Sequence, residues 1–440
     1  MDGGHSSKSA SVLLVTIWEL GEAAGPLFIA PLSEIIGRYP VVNGANMLFV
    51  TASILAALSQ STGVMIAARA LTGLAVASNV LNPAIIGDMF VSEERGSAMS
   101  LIMLAPLFGG ALGPAISGVI AQSLGWRTVV WISVFLAAAC ELAFLAFFRE
   151  TYKVPILRRR AARLRQETGD ATLKTEFDQG KAGSKALWES VMRPVVVFAG
   201  SGVLQALSLF GSLVFTFFYI MSTTLPDILE GLYGLSPAMA GFCFISFSQS
   251  TPLLLSCPCF PCLSGAMLTR YFDPTGIGSL FSVVFCNVAL DRIYIRLGET
   301  HPEIGKPELR LPLVIVGGLT LPFVVALYGW ATQVHLDLFF ILLILALMGM
   351  TLLLAFLPLM AYVVDAFGMY SASAITAVIV SRCLMGTFLP LTSGPLVDRF
   401  GYGWGFTILA AVLLMMWPIP ILVMKRGLKW RQGSKYTRDN

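Results

Sequence analysis

The sequence predicts an all-α polytopic membrane protein, and three observations carry that prediction. Of its 440 residues, 56% are hydrophobic and only 12% charged, and the mean hydropathy is +0.79. Soluble domains carry about a quarter charged residues. The apolar residues gather in runs of the roughly 20 residues that a bilayer-crossing helix needs, and the basic residues gather in a few stretches between those runs. This composition excludes a cytosolic enzyme, a nucleic-acid binder and a disulfide scaffold. The seven cysteines lie mostly singly inside apolar runs and fit neither a zinc nor a disulfide framework.

In chain order the runs cover residues 11–31, 41–60, 64–87, 98–121, 128–148 and 195–221, then 237–256, 276–290, 311–331, 338–361, 371–396 and 404–424. Gly and Pro recur inside them, as membrane helices tolerate. The positive-inside rule then orders the chain. Arg149–Arg193 holds eleven Lys and Arg, including Arg158, Arg159, Arg160, Arg163 and Arg165, and is expected in the cytoplasm. Asp291–Arg310 holds four more and the tail from Lys425 six. Both fall on the cytoplasmic side only if 237–256 and 276–290 are pieces of one interrupted span. That parse gives about eleven spans with an external amino terminus, and implies a helix missing upstream.

The interruption, Ser248–Thr275, contains CPCFPC. Cys257, Cys259 and Cys262 have no His or acidic partner nearby, so they make an incomplete metal site. The segment reads instead as untranslated or mis-spliced sequence. The expected organisation is an N-terminal helical half over 1–148, a basic loop over 149–194, a C-terminal helical half over 195–424 with an atypical insertion at 248–275, and a basic tail over 425–440.

The two halves share a layout, as transporters built from repeats do. Each has a short charged turn after an early span: Glu34, Gly37 and Arg38 in the first, Asp291, Arg292 and Arg296 in the second. Each also has an acid at the end of a later span, Asp88 and Asp365. Carboxylates and an arginine at one membrane face form either a latch that breaks as the halves move or ordinary interfacial charges. Ser97–Ala121 carries Pro106, Gly109, Gly110, Gly113, Pro114 and Gly118, a spacing that lets helix backbones approach closely while the prolines kink the span.

Ionisable groups inside spans are expensive and mark function by default. Glu19 and Glu22 lie three apart on one face of the first span, Arg69 lies in the third, Arg382 near the end of the chain, and Glu141 nearer an interface. A carboxylate held in low dielectric can take up and release a proton near neutrality, and an arginine beside it favours the charged form. Glu19 with Arg69 therefore reads either as a proton-coupling pair or as a static pair fixing helix register. Asn79, Asn82, Gln205, Tyr219 and Tyr362 either line a cavity or bond across helix interfaces.

The chain resembles fungal major facilitator superfamily transporters of the drug:proton antiporter family with twelve helices. The resemblance is carried by ELGEAAGPLFIAPLSEIIGRYPV (Glu19–Val41), RALTG (Arg69–Gly73), APLFGGALGPAISG (Ala105–Gly118), LGWRTVVWI (Leu124–Ile132), FFRETYKVPILRRRAARLRQETG (Phe147–Gly169), GKPELRLP (Gly305–Pro312) and YVVDAFGMYSASA (Tyr362–Ala374). It implies the major facilitator fold of two pseudo-repeated six-helix halves, with the family's first helix absent and its eighth split by the insertion. It maps the gating motif onto Glu34, Gly37 and Arg38, with Ile35 where the family has an arginine. The proton-assisting arginine maps onto Arg69, and the antiporter motif onto Pro106, Gly109, Gly113, Pro114 and Gly118.

The function so expected is proton-coupled export of small amphipathic organic compounds (a drug, a toxin or a fungal secondary metabolite) by alternating access in the cell membrane. It needs no cofactor and no metal, and the expected unit is a monomer in the bilayer. Glu19, Glu22 and Arg69 would couple protons, the charged turns with Asp88 and Asp365 would gate, and Asn79, Asn82, Gln205, Tyr219, Tyr362 and Arg382 would line the cavity. The alternatives are an importer of polyamines or other organic solutes with the same fold, or a non-functional product of a faulty gene model. An enzyme is disfavoured because His5, His301 and His335 all lie outside or at the ends of spans.

Overall fold

The computed structural model describes residues 3–76, 78–90, 109, 112–169, 175, 184–247, 307–434 and 437. Among these there is no strand, and seven stretches are long and apolar enough to cross a membrane. The helices are α1 (Gly3–Ile36), α2 (Arg38–Ala57), α3 (Thr62–Leu74), α4 (Ser78–Met89), α5 (Leu112–Leu124), α6 (Trp126–Phe147), α7 (Lys153–Thr168) and α8 (Ser184–Ala199). They continue as α9 (Gly202–Gly231), α10 (Pro237–Phe247), α11 (Leu311–Gln333), α12 (Leu338–Phe367), α13 (Ser371–Phe388), α14 (Ser393–Met416) and α15 (Pro418–Gly433). The described residues fall into two compact units.

The smaller unit comprises 17–105 and 130–194. Its first boundary is set by Gly37, whose φ of +117° is a conformation that a Cβ makes costly. α1 stops there and α2 starts, with Pro40 in the first turn where no helical N–H is needed. Ser61 caps α3 by accepting from the Val64 N–H at 3.3 Å. The span expected over 64–87 is instead two shorter helices, α3 and α4, with Ala75 and Val76 after the end of the first. α1 and α3 cross backbone to backbone: a Cβ on Gly73 would lie 2.0 Å from the Trp18 carbonyl oxygen, and one on Gly21 2.2 Å from that of Ala70. A small core of Val41, Val42, Ala45 and Leu81 is closed by Ile29, Leu32, Ile85 and Phe148. α6 behaves differently, because only Val134 and Glu141 along it are buried. These two are seven residues apart and share one face; the remaining apolar surface suits lipid.

The larger unit comprises 1–16, 106–129 and 195–440. The run expected over 195–221 is divided at Gly200–Ser201, and the long span is α9, capped by Ser201 accepting from the Leu204 N–H at 3.4 Å. α9 is the axis of the core. Leu204, Leu207, Phe210, Val214, Phe217, Met221, Leu225 and Ile228 recur at helical spacing along one buried stripe. α11, α12 and α13 pack around it with Tyr328, Leu345, Leu359 and Val378 fully enclosed. The 404–424 run is likewise shared between α14 and α15. α14 turns sharply at Gly401 (φ +73°), where Gln333 Oε1 accepts the Gly403 N–H at 3.0 Å. α5 meets α10 at van der Waals distance of the backbones: a Cβ on Gly118 would lie 2.5 Å from the Pro237 oxygen, and one on Gly241 2.3 Å from that of Pro114.

Space at the glycines of α5 is therefore unequal, and so is the expected cost of filling it. Gly118→Val must push two backbones apart, at roughly 1–3 kcal/mol. Gly113→Ala, at the second position of α5, meets nothing within 4 Å among the described residues, so it should leave stability unchanged. Thermal unfolding of the purified protein is expected to show a lower midpoint for the first variant and no loss for the second.

Candidate functional site

Each unit fastens the start of one helix with charged side chains. In the smaller unit the backbone opens at Gly37 because the Glu150 carboxylate occupies the space that a Cβ would need; a Cβ there would fall 2.3 Å from Glu150 Oε2. Glu150 Oε1 accepts the N–H of Arg38 at 2.8 Å and of Tyr152 at 3.0 Å, while Oε2 accepts that of Tyr39 at 3.2 Å. A carboxylate thus satisfies orphan donors at the positive end of α2. With its backbone held, Arg38 turns its guanidinium to Asp88, Nε to Oδ2 at 3.1 Å, and donates through Nη1 to Ser33 Oγ. The Tyr152 ring lies under the guanidinium at 4.9 Å. Burial, then the charges of Glu34 and Asp88, hold the Tyr152 hydroxyl above its usual range despite the opposing pull of Arg38 and Arg158.

The larger unit repeats the scheme with different atoms. Arg310, just before α11, pairs through Nε with Oδ2 of Asp365 near the end of α12. Two residues earlier, Glu308 is buried and receives a bidentate grip from Arg431 of α15, Nε to Oε1 at 2.8 Å and Nη2 to Oε2 at 3.2 Å. A Cβ on Gly427 would approach Glu308 Oε1 to 2.9 Å.

Asp365 is therefore partnered by Arg310 among the described residues. The expected partners Asp291, Arg292 and Arg296 lie outside the described residues, as does Pro106. A signal for Arg310 was present in the chain: Arg38-Tyr39-Pro40 and Arg310-Leu311-Pro312 each precede their aspartate by about one helical hairpin. Glu150, Glu308 and Arg431 carry no such repeat. Glu34 is exposed, and Glu150 supplies the second carboxylate beside Arg38.

Among the intramembrane charges, Glu19 and Glu22 are buried on α1 and Arg69 is half-buried on α3. The glycine contacts of α1 with α3 bring their backbones together, since Gly21 faces Ala70, the residue after Arg69. Glu141 is buried, and neither of its carboxylate oxygens meets a hydrogen-bond partner among the described residues. The expected cavity residues divide. Tyr362 is fully enclosed in the core of the larger unit and so lines no open space. Gln205 is exposed but engaged, its Nε2 donating to the carbonyls of Phe198 and Ala199 at the end of α8. Asn82 is half-buried on α4, and the side chain of Asn79 lies outside those described. Tyr219 is half-buried in an aromatic shelf with Phe215, Phe218 and Phe356, and Arg382 lies over the Phe215 ring at 4.5 Å. Of the antiporter-motif residues, Gly118 and Pro114 make the α10 contact, while Gly109 and Gly113 border open space among the described residues.

Residues 4–390 match the Major Facilitator Superfamily. The chain belongs to that family. As a major facilitator it is a multi-pass membrane transporter and not an enzyme. It is 31% identical to the efflux pump radE of Floropilus chiversii over 99% of this chain and 76% of that one. It is also 31% identical to the MFS-type transporter tndD of Aspergillus flavipes over 97% and 75%, and 30% identical to the probable efflux pump mfs2 of Aspergillus flavus over 98% and 94%. Among solved structures, a D-xylose-proton symporter superposes with a TM-score of 0.62 at 17% identity, over 94% of this chain and 88% of that one. The human organic anion transporter MFSD10 does so with 0.56 at 18%, over 93% and 83%. These likenesses establish the fold.

The buried Glu308–Arg431 pair gives a sharp stability test. Removing one partner strands the other charge, which costs about 3–5 kcal/mol, whereas removing both is far milder. Arg431→Met alone should strongly lower the unfolding midpoint, and adding Glu308→Leu should restore much of it in a double-mutant cycle. Glu141 should behave oppositely. Its carboxylate makes no hydrogen bond among the described residues, so Glu141→Leu is expected to be neutral or stabilising in the same assay.

Proposed function

We propose that this major facilitator is a proton-coupled exporter of small amphipathic organic compounds, of the kind represented by drugs, toxins or fungal secondary metabolites. It works by alternating access between two helical halves, 1–148 and 195–424, in the cell membrane. The observation that carries the reading is the burial of two carboxylates, Glu19 and Glu22, on a membrane-spanning helix whose backbone is in contact with that of the helix bearing Arg69. A carboxylate is not kept at that depth for packing alone. The relatives named efflux pumps support the outward direction.

In this reading Glu19 carries the proton, Glu22 assists, and Arg69 favours the deprotonated state when it approaches. Arg38–Asp88 and Arg310–Asp365 are the gating pairs, and the basic segment 149–194 and the tail lie in the cytoplasm, as their Lys and Arg content favours. Tyr219 with its tilted aromatic neighbours and Arg382 offer the substrate an apolar aromatic cluster with a cation. A differential interaction with substrate in two states is what drives the exchange.

Glu19→Gln removes the ionisable proton while keeping shape. In inside-out vesicles with an acidic lumen and a fluorescent amphipathic dye added to the bath, the variant is expected to reach wild-type membrane levels yet lose acid-driven dye uptake by more than tenfold. Transport at the normal rate against a gradient would refute the assignment of Glu19.

A further inference from the structure

The motif that the transport reading leaves unused is the arginine-rich helix α7. It begins six residues after Phe147, the last residue of the apolar helix α6, so it starts at most roughly 20 Å of chain from the end of that span. It is a finished helix, because Gly169 (φ +69°) ends it with its N–H bonded to the Arg165 oxygen at 3.1 Å. One side of it is turned inward: Pro155 and Ala161 are buried, and Arg158 and Arg165 are half-buried. At 100° per residue the opposite side carries exposed Ile156 between exposed Arg160 and Arg163, with exposed Leu157 and Leu164 along one edge and exposed Arg159 along the other. Glu167 is the only acid on that side.

A face that mixes exposed aliphatic side chains with arginines suits neither water nor the hydrocarbon core. It suits the boundary between headgroups and acyl chains, where the apolar groups enter and the guanidinium groups meet phosphate. We propose that the outward face of α7 is a docking surface for anionic phospholipids of the leaflet from which α6 emerges. Arg159, Arg160 and Arg163 hold the headgroups, and Ile156, Leu157 and Leu164 lie among the first acyl carbons. The lipid charge follows from the helix charge, since a zwitterionic surface offers three arginines no net attraction. The surface is wired to the first clasp: Tyr152, immediately before α7, lies under Arg38 and shares Glu150 with it. Lipid held on α7 therefore steadies the Arg38–Asp88 pair. The presence of anionic lipid at this surface rests on the cytoplasmic placement proposed above, but the binding itself requires no transport.

The test uses the full chain in nanodiscs of phosphatidylcholine alone or with one fifth phosphatidylserine, read by native mass spectrometry of retained lipid and by thermal unfolding. Each Lys or Arg at an anionic surface is worth roughly fivefold in partitioning. Phosphatidylserine should thus be retained at least tenfold over phosphatidylcholine and should raise the unfolding midpoint. Combined Arg159→Gln, Arg160→Gln and Arg163→Gln should abolish both effects, and the three lysine replacements should keep most of them. Combined Lys425→Gln, Arg426→Gln and Lys429→Gln on α15 should leave both unchanged. Soluble glycerophosphoserine should not substitute for the lipid. Equal retention of the two lipids by the wild type, or a preference that survives the α7 glutamine variant and disappears in the α15 one, would overturn the proposal. Loss of dye efflux in Glu19→Gln with lipid preference intact would separate this surface from the transport reading.

Discussion

The starts of two helices, α2 and α11, have to be held in place by charge, and much of the cytoplasmic wiring proposed for the protein hangs on how that is done. A helix start exposes N–H groups that need acceptors. At α2 the carboxylate of Glu150 takes three N–H groups, two from the helix start and one from its own loop. That grip fixes the backbone of Arg38, and only a fixed backbone delivers its guanidinium to Asp88, Ser33 and the Tyr152 ring together. Gly37 belongs to the same solution, since any side chain there would occupy the place of the carboxylate. At α11 the corresponding turn carries its own acid, Glu308, and the grip comes from Arg431. The polarity is reversed but the outcome is the same, an arginine presented to an aspartate from a neighbouring helix.

Much of this was legible in the sequence, and the part that was not has a physical reason. Composition and run length determine a helical membrane protein without reference to any contact. Arg38, Asp88 and Asp365 stand out because a charge at the edge of an apolar run is locally anomalous. Glu150, Glu308 and Arg431 also lie at run edges, but their meaning is in partners 112 and 123 residues away, and no local period encodes such a distance. Helix breaks inside apolar runs, as at Ala75 and Gly200, were invisible for a related reason. Hydropathy measures transfer to lipid and is indifferent to whether the helix is continuous. Glycines show the same division: the spacing in GALGPAISG announces close approach, yet only packing tells that Gly118 touches α10 while Gly113 meets nothing among the described residues.

The three ion pairs differ most in how much water they see, and that difference sorts them by role. Glu308 and Arg431 have side chains 1% and 3% exposed, whereas Arg310 and Asp365 are 21% and 33% exposed. Separating a buried pair leaves two desolvated charges and costs several kcal/mol. Separating a half-wet pair returns each ion to water, and such pairs are worth about 0–1 kcal/mol. Arg38–Asp88 falls between, with the arginine 7% exposed and the aspartate 21%, and its guanidinium keeps Ser33 and the Tyr152 ring if Asp88 leaves. The alternating transport proposed for the protein needs contacts of both kinds. In that proposal the buried pair is the fixed pin between the start of α11 and α15, and the two arginine–aspartate pairs are the contacts that open at modest cost. The three backbone donors on Glu150 then keep the start of α2 in place when Arg38 lets go, so the proposed latch closes again.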